Sequence, residues 1–421
     1  MRKIKGLHLK HNKNTANCPT EKFPVPKEVL IPMNMNMGAH SEPIVKVGEH
    51  VNIGDKIGDS NAFLSVPVHT GVSGTVKEIT EIRLSNGVCK AIRIETDDIQ
   101  TTSENVKPPV INNRDDFVKA LRESGLTGLG GAGFPTHIKH NPSVPIDTLV
   151  VNAAECEPYI TSDHRQMLEA PDDVVGGIKL VMKHLNIPKA VIGIEANKSD
   201  AIKLLQEKTK DDSGISVKKL PSVYPQGAEK ILVFNLTGRL IKEKQLPSDQ
   251  GVIVMNVSTA AYIHTYAKTG MPLTERRITV DGDLIKKPCN LFVKIGTPVS
   301  EILEYAGCDT EKIKKLIMGG PMMGMCAYDV NTVISKSNNA VLAFEKTAEK
   351  TMTNCIRCGR CIKACPLNLM PTELEKAYNR KDGAALKKLR VGLCMNCGCC
   401  TYVCPAGRQL AQINQLAKAI I

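Results

Sequence analysis

Two copies of one cysteine pattern near the C-terminus constrain this chain more than anything else in it. The first runs Cys355-Ile-Arg-Cys358-Gly-Arg-Cys361-Ile-Lys-Ala-Cys365-Pro366, the second Cys394-Met-Asn-Cys397-Gly-Cys399-Cys400-Thr-Tyr-Val-Cys404-Pro405. Both read C-x2-C-x2-C-x3-C-P, the spacing that wraps a [4Fe–4S] cube. Three close thiolates take three corners, and the distal Cys comes from the other repeat. Cys355, Cys358, Cys361 and Cys404 are therefore assigned to one cluster, and Cys394, Cys397, Cys400 and Cys365 to the other. Zinc ribbons use pairs of C-x2-C, not quartets ending in Cys-Pro. A disulfide framework needs an oxidising compartment, to which nothing here points. Cys399 is a spare thiol, suited to packing or to contact with a ligand rather than to ligation. Neighbouring cubes move electrons one at a time, so the rest of the chain should hold what supplies or receives them.

A length of 421 residues fits about three or four domains. The chain has 4% aromatic residues and no Trp, which argues against a base-stacking surface and so against nucleic acid as a partner. The formal charge is +12, read as spread along the chain. It suits a solvated surface first, and docking to an acidic redox partner or an anionic membrane face second. No apolar run reaches the roughly 18 residues of a membrane helix. The start, Met1-Arg-Lys-Ile-Lys-Gly-Leu-His8, has no apolar signal core. The expected location is the cytoplasm, with no transmembrane segment of the chain's own.

Residues 1–42 are rich in Pro without periodicity and read as an extended segment packing on a later domain. His8, His11 and Cys18 lack companion ligands there. From 43 to 100, short β segments alternate with turn glycines such as Gly48, Gly54, Gly58, Gly71 and Gly74, the pattern of a small β domain. A helix is predicted over Arg114–Ser124, with Phe117, Val118 and Leu121 at helical spacing. Then comes Gly128-Leu-Gly130-Gly131-Ala132-Gly133-Phe134-Pro135-Thr136-His-Ile-Lys139. Gly128, Gly130 and Gly133 satisfy G-x-G-x-x-G, but the run follows a helix and meets a Pro, so the dinucleotide-fold context is missing. Its density of glycine still lets backbone N–H groups approach an anion, with Lys139 as counter-charge. A strand over 147–154 runs into Glu155-Cys156-Glu157-Pro158, carboxylates suited to ribose hydroxyls or a nicotinamide amide. Helices (172–185, 199–209) and strands (190–195, 215–220, 251–259) then alternate, an α/β domain. Residues 276–345 return to β character, and 371–389 form an amphipathic helical spacer between the two cysteine motifs.

The segments 128–139, 152–158, 224–230 and 256–259 together resemble the flavin pocket of the NADH-oxidising subunit of respiratory complex I. The β segments of 43–100 resemble a barrel-sandwich hybrid of the lipoyl and biotinyl type. Its tip, Asp59-Ser-Asn-Ala-Phe63, carries no Lys, which implies a structural or docking module rather than a swinging arm. Residues 276–345 look like an SLBB-type β-grasp fold that braces the flavin domain against a dicluster ferredoxin tail. With Asn152-Ala-Ala-Glu155-Cys-Glu157-Pro-Tyr-Ile160 and Gly319-Gly-Pro-Met-Met-Gly324, nearly the whole chain resembles the RnfC family, whose members belong to the Rnf electron-transport complex.

That resemblance implies a multidomain α/β and α+β chain. Its parts are an extended segment (1–42), a barrel-sandwich hybrid (43–100), an FMN- and NADH-binding α/β domain (114–272), an SLBB-like β-grasp domain (273–346) and a dicluster ferredoxin domain (347–421). It implies FMN on the loop Gly128, Gly130, Gly131, Ala132 and Gly133, with Lys139, Asn152, Tyr224, Gly227, Asn256, Val257 and Thr259 around it. NADH would stack on the flavin near Phe134, with Glu155, Glu157 and Glu229 nearby. Leu129, Ala154 and Ala228 depart from the complex I pattern, which carries Arg, Asp and Glu there, so no contacts are carried over to them. No catalytic nucleophile or acid is implied. The implied role is oxidation of NADH by way of FMN and two [4Fe–4S] clusters, in an Rnf-type NADH:ferredoxin oxidoreductase coupled to ion transport. Its partners would be membrane subunits and, indirectly, ferredoxin, and its place the cytoplasmic face of the membrane. Two alternatives stand beside it: a soluble relative feeding a reductase such as D-proline reductase, and a flavin-less iron–sulfur adaptor.

Overall fold

The computed structural model describes residues 6–84, 87–347 and 350–421. The N-terminal strands are β1 (Thr20–Lys22), β2 (Glu28–Pro32), β3 (Glu42–Pro43), β4 (His50–Val51), β5 (Lys56–Asp59), β6 (Val68–His69), β7 (Gly74–Leu84) and β8 (Gly87–Thr96). They form a four-stranded sheet, β2-β8-β7-β4, and a three-stranded one, β3-β5-β6. The period-2 pattern of the strands turns Val29, Ile31, Val76, Ile92 and Ile94 inward, all fully buried. β2 lies within residues 1–42, which the sequence reading leaves extended. Only Val29 and Ile31 carry its alternation, and Pro24, Pro26 and Pro32 obscure it until β8 is seen to pair with it.

The flavin-type domain runs through α1 (Arg114–Glu123), α2 (Thr136–Lys139), β9 (Thr148–Ala153), α3 (Ser162–Glu169), α4 (Pro171–Leu185), β10 (Lys189–Glu195), α5 (Ser199–Lys208), β11 (Ile215–Leu220), α6 (Glu229–Thr237), β12 (Val252–Asn256) and α7 (Val257–Thr269). α1 starts where Asn113 accepts a hydrogen bond from the Asp116 N–H at 2.9 Å, a side-chain cap. It anchors the barrel-sandwich tip: Arg122 donates to Asp59 at 2.8 Å and to the Ser60 carbonyl at 2.9 Å, and Lys56 pairs with Glu123 at 2.6 Å. The four strands are all parallel, in the order β11-β10-β9-β12. Leu149, Val150, Val151, Ile192 and Ile194 are fully buried, as a parallel sheet covered on both faces requires. From β9 the chain steps one way to β10 and β11, then returns to lay β12 on the other side of β9. The strand order therefore reverses between β9 and β12, where open α/β sheets form a crevice beyond their C-terminal ends.

The stretch 251–259 differs from its expected form. The strand stops at Asn256, whose side chain accepts from the N–H groups of Ser258 and Thr259 at 2.9 and 3.2 Å. That cap starts α7, so Thr259 is helical. Helix α4 lies so close on α7 that a Cβ at Gly177 would stand 1.7 Å from the Ala260 carbonyl oxygen.

The β-grasp unit comprises β13 (Glu275–Asp281), β14 (Cys289–Lys294), α8 (Val299–Tyr305), β15 (Lys315–Met318), β16 (Met325–Cys326) and β17 (Ala340–Phe344). Its sheet has the order β1-β14-β13-β17-β15-β16, with β1 of the N-terminal segment added parallel to β14. The C-terminal unit holds α9 (Arg360–Ala364), α10 (Pro371–Asn379), α11 (Gly383–Lys388), α12 (Cys399–Tyr402) and α13 (Leu410–Ala417). The helical spacer expected over 371–389 is built as two helices, α10 and α11. Lys381 takes a left-handed φ of 54°, and Asp382 recaps the chain by accepting from the Ala385 N–H at 2.9 Å. No helix among the described residues is long and apolar enough to cross a membrane.

Candidate functional site: a crevice joined to two cysteine quartets

Asn152, next to last in β9, and Asn256, the last residue of β12, are register partners at the reversal point. The loop 128–133 closes over them. Leu129 donates its N–H to Thr259 Oγ1 at 2.9 Å, and a Cβ at Gly130 would touch the Asn256 side chain. Gly130, Gly131 and Ala132 are exposed at the mouth, while Gly133 and Val257 are buried. Phe134 lies half-buried behind them, its carbonyl accepting from Gly128 at 2.8 Å. Asn152 Nδ2 donates to the Gly227 carbonyl at 2.9 Å, bringing the 224–230 segment to the same edge.

Three predicted residues have other engagements. Lys139, expected as a free counter-charge, pairs with Glu229 at 2.6 Å. Glu155 accepts from the N–H groups of Asp163 and His164 at 2.6 and 3.2 Å, at the start of α3. Burial pushes its carboxyl up to about 7, against the pull of Lys13 and Lys198. Tyr224 is buried, and its hydroxyl donates to the Cys397 carbonyl at 2.7 Å, so it stands between the crevice and the second cysteine motif.

Glu157 belongs to that junction as well. One carboxylate oxygen accepts from the Met322 N–H at 2.9 Å, and the other is buried without a partner. Burial pushes its carboxyl up to about 7. A Cβ at Gly320 would lie 2.4 Å from this carboxylate, so a larger residue there would displace the Glu157 side chain from its present position.

The structure brings Cys365 of the first motif to three thiols of the second. Cys365, Cys394, Cys397 and Cys400 line one cavity with Pro366, Leu369 and Asn414. Cys361 sits within electrostatic reach of Cys355 and Cys404, and Cys358 is exposed. Cys399, 1% exposed, packs with Tyr224 and Ala364 and hydrogen-bonds the Cys397 thiol. No three ligand-type side chains among the described residues gather closely enough to hold a single metal ion. A cube is bound differently, because each thiolate takes its own iron corner, so a quartet standing apart around a cavity suits it.

The crevice fits a flavin phosphate and ring. Its loop offers exposed backbone, a Cβ at Gly131 would meet nothing, and Gln226 Nε2, next to Gly227, is buried with no partner.

Sequence reasoning missed four contributors. Lys13 donates to the carbonyls of Glu155 at 3.0 Å, of Glu157 at 2.8 Å and of Ile160. Lys198 donates to the Ala154 carbonyl at 2.8 Å and pairs with Glu195 at 3.1 Å. Asp163 accepts from Asn256 Nδ2 at 2.7 Å, and Arg276 donates to the Leu129 carbonyl at 3.0 Å. No local pattern marks any of them. The basic charge is also less even than expected. Residues 350–421 hold twelve Lys and Arg against three acidic residues.

Four domain families match the chain in order. They are the RnfC barrel-sandwich hybrid domain over 1–99, the Nuo51 FMN-binding domain over 121–265, the SLBB domain over 277–325 and the 4Fe–4S dicluster domain over 354–408. The corresponding subunit of the Na+-translocating ferredoxin:NAD+ oxidoreductase complex of Acetobacterium woodii is 39% identical over 384 residues, covering 89% of this chain and 87% of that one. Its proton-translocating counterpart from Clostridium ljungdahlii is 40% identical over 379 residues, covering 88% and 82%. The counterpart in the ion-translocating oxidoreductase complex of Rhodobacter capsulatus is 34% identical over 403 residues, covering 92% and 76%. Among solved structures, an NAD+-reducing [NiFe]-hydrogenase in its H2-reduced state superposes with a TM-score of 0.51 at 16% identity. The match covers 73% of this chain and 63% of that one, and shows a shared fold.

Proposed function

Because the chain belongs to the RnfC family, a family of subunits from ion-translocating ferredoxin:NAD+ oxidoreductase complexes, we propose that it is the subunit through which NADH delivers electrons to such a complex. The path would run by way of FMN and two [4Fe–4S] clusters to membrane subunits and, through them, to ferredoxin. The observation that carries this reading is the Tyr224–Cys397 contact. The crevice at the β9–β12 reversal and the cavity of the second cysteine quartet share a wall.

Bound FMN supplies the conversion of a two-electron hydride into single electrons, which the cubes carry one at a time. The chain's own part is positioning. The loop 128–133 brings backbone to an anion, with Gly227, Asn152 and the Asn256 cap setting the floor of the crevice. Glu157 lines the passage towards Cys397, and the packing of Tyr224 against Cys399 keeps water out of it. Placement at the cytoplasmic membrane face, coupling to Na+ or H+ movement, and flow in either direction belong to the same proposal.

The test is an anaerobic NADH titration of FMN-reconstituted protein followed by visible absorbance. Bleaching of both the flavin band and the broad iron–sulfur absorption is expected. If dithionite bleaches the clusters while NADH changes nothing, the proposal fails and the flavin-less adaptor takes its place.

A further inference from the structure

Several cations come close to the crevice, and most are answered by an acid. Lys139 pairs with Glu229 and Lys198 with Glu195, while Lys13 sits in the field of Glu155. Arg276, near the start of β13, is the exception. It is 4% exposed, and its hydrogen bonds among the described residues go to two carbonyls. Nε donates to Asn338 at 3.1 Å and Nη2 to Leu129 at 3.0 Å. The acid whose charge reaches it, Asp163, is already engaged by Asn256 and Ser258. A guanidinium stays charged when buried, and a buried charge without a counter-charge is costly. Carbonyl dipoles offset only part of that cost.

The Leu129 carbonyl also fixes geometry. In a trans peptide the C=O of residue 129 and the N–H of residue 130 point to opposite sides. Arg276 holds the oxygen from within the protein, so the Gly130 N–H is turned away from it, on the exposed side of the turn. The neighbouring peptide is fixed too, by the Leu129 N–H on Thr259. A buried cation that touches no acid, with Asp163 reaching it only at a distance, and an outward N–H one residue along converge on one kind of ligand, an anion seated on the turn.

We propose that Arg276 is the counter-charge for the phosphate of FMN on the 128–133 turn, supplied across the domain boundary by the β-grasp unit. It is a positioning residue that acts through the Leu129 peptide. The β-grasp domain thereby serves the flavin site as well as bracing it. This rests on the FMN reading above.

The test compares two flavins that differ only in the phosphate. Binding of FMN and of riboflavin to the cluster-loaded full chain is measured by fluorescence quenching for wild type, Arg276→Gln and Arg276→Lys. Arg276→Gln is expected to weaken FMN about tenfold or more and to leave riboflavin within about twofold. Arg276→Lys, which keeps the charge and loses the fork, falls between. Iron content reports folding, and if the Gln variant does not fold, the Lys variant carries the comparison. Equal weakening of both flavins would reduce Arg276 to a brace for the loop and overturn the proposal, as would no change in either. A wild-type chain that binds neither flavin overturns the FMN reading itself, and that result is visible without any variant.

Discussion

The Tyr224 hydroxyl donates to the Cys397 carbonyl at 2.7 Å, linking the loop beside the crevice to a cysteine of the second quartet. Burial pushes the Tyr224 phenol far above its ordinary value, so it remains a donor at any working pH. Replacing it with Phe strands a buried carbonyl, a loss of about 1–3 kcal/mol. Tyr224→Phe should keep both clusters by iron analysis and lower the denaturant midpoint. In stopped-flow NADH reduction, bleaching of the iron–sulfur band should lag the flavin band more than in wild type. An unchanged lag would separate this bond from the electron path.

The crossed quartets make a sharper prediction. Cys404→Ser should remove the cluster held with Cys355, Cys358 and Cys361, although Cys404 lies in the other motif. Cys365→Ser should remove the cluster held with Cys394, Cys397 and Cys400. Each variant should fall from about eight irons to about four. The paramagnetic resonance spectrum of each reduced variant should match that of a variant in the other motif: Cys404→Ser that of Cys358→Ser, and Cys365→Ser that of Cys397→Ser. Signals pairing by motif instead would refute the assignment.

Lys336 is fully buried, and its Nζ donates to the carbonyls of Pro67 at 2.6 Å and Gly125 at 2.8 Å. It joins the β-grasp unit to both domains before it. Burial pushes its ammonium down from 10.5 to about 7, with Asp59 pulling the other way. Between those values the unfolded chain holds a proton that the folded one has released, so stability rises with pH over that window. Below about 7 both states are protonated, and the slope from this group vanishes. The neutral amine keeps two N–H donors for its two carbonyls. Urea midpoints at pH 7 and pH 9 should therefore rise more in wild type than in Lys336→Met. Equal changes would show that another group sets the slope.

Gly177→Ala adds one methyl where α4 crosses α7, 1.7 Å from the Ala260 carbonyl oxygen. Overpacking of this kind costs about 1–3 kcal/mol. Because α7 begins at the Asn256 cap, the strain should reach the crevice. Thermal melts should fall, and FMN retention on gel filtration should fall with them, while iron content holds. Retained FMN alongside a lowered melt would confine the strain to the helix pair.

The two cysteine motifs were legible because their spacing is a local property, fixed within twelve residues. The α/β alternation was legible for the same reason, down to β10, α5 and β11. Boundaries set by capping were not. Asn256 reads as the next residue of an apolar strand until its side chain is seen to accept from Ser258 and Thr259. Polar contacts between domains were hidden altogether. Lys13 and Arg276 sit in stretches that resemble any solvated surface, and the crevice carbonyls they hold lie more than a hundred residues away. The pairing of Lys139 with Glu229 was equally invisible, because the two residues lie ninety positions apart.

The strand β1 pairs along its length with Asn290, Leu291 and Phe292, and Asn290 Nδ2 donates to the Thr15 carbonyl, 275 residues away. On the ribosome the first strand of this sheet waits for a partner made about 270 residues later. Barrel-sandwich and flavin-type domains can each condense as they emerge, but the segment bearing Lys13 has no strand to settle on until β14 has been made. Such distant pairing is slow to form. The three carbonyls that Lys13 gathers, at Glu155, Glu157 and Ile160, are therefore drawn together late. A truncated product ending before residue 289 would own every loop of the flavin crevice and lack the tie that completes it.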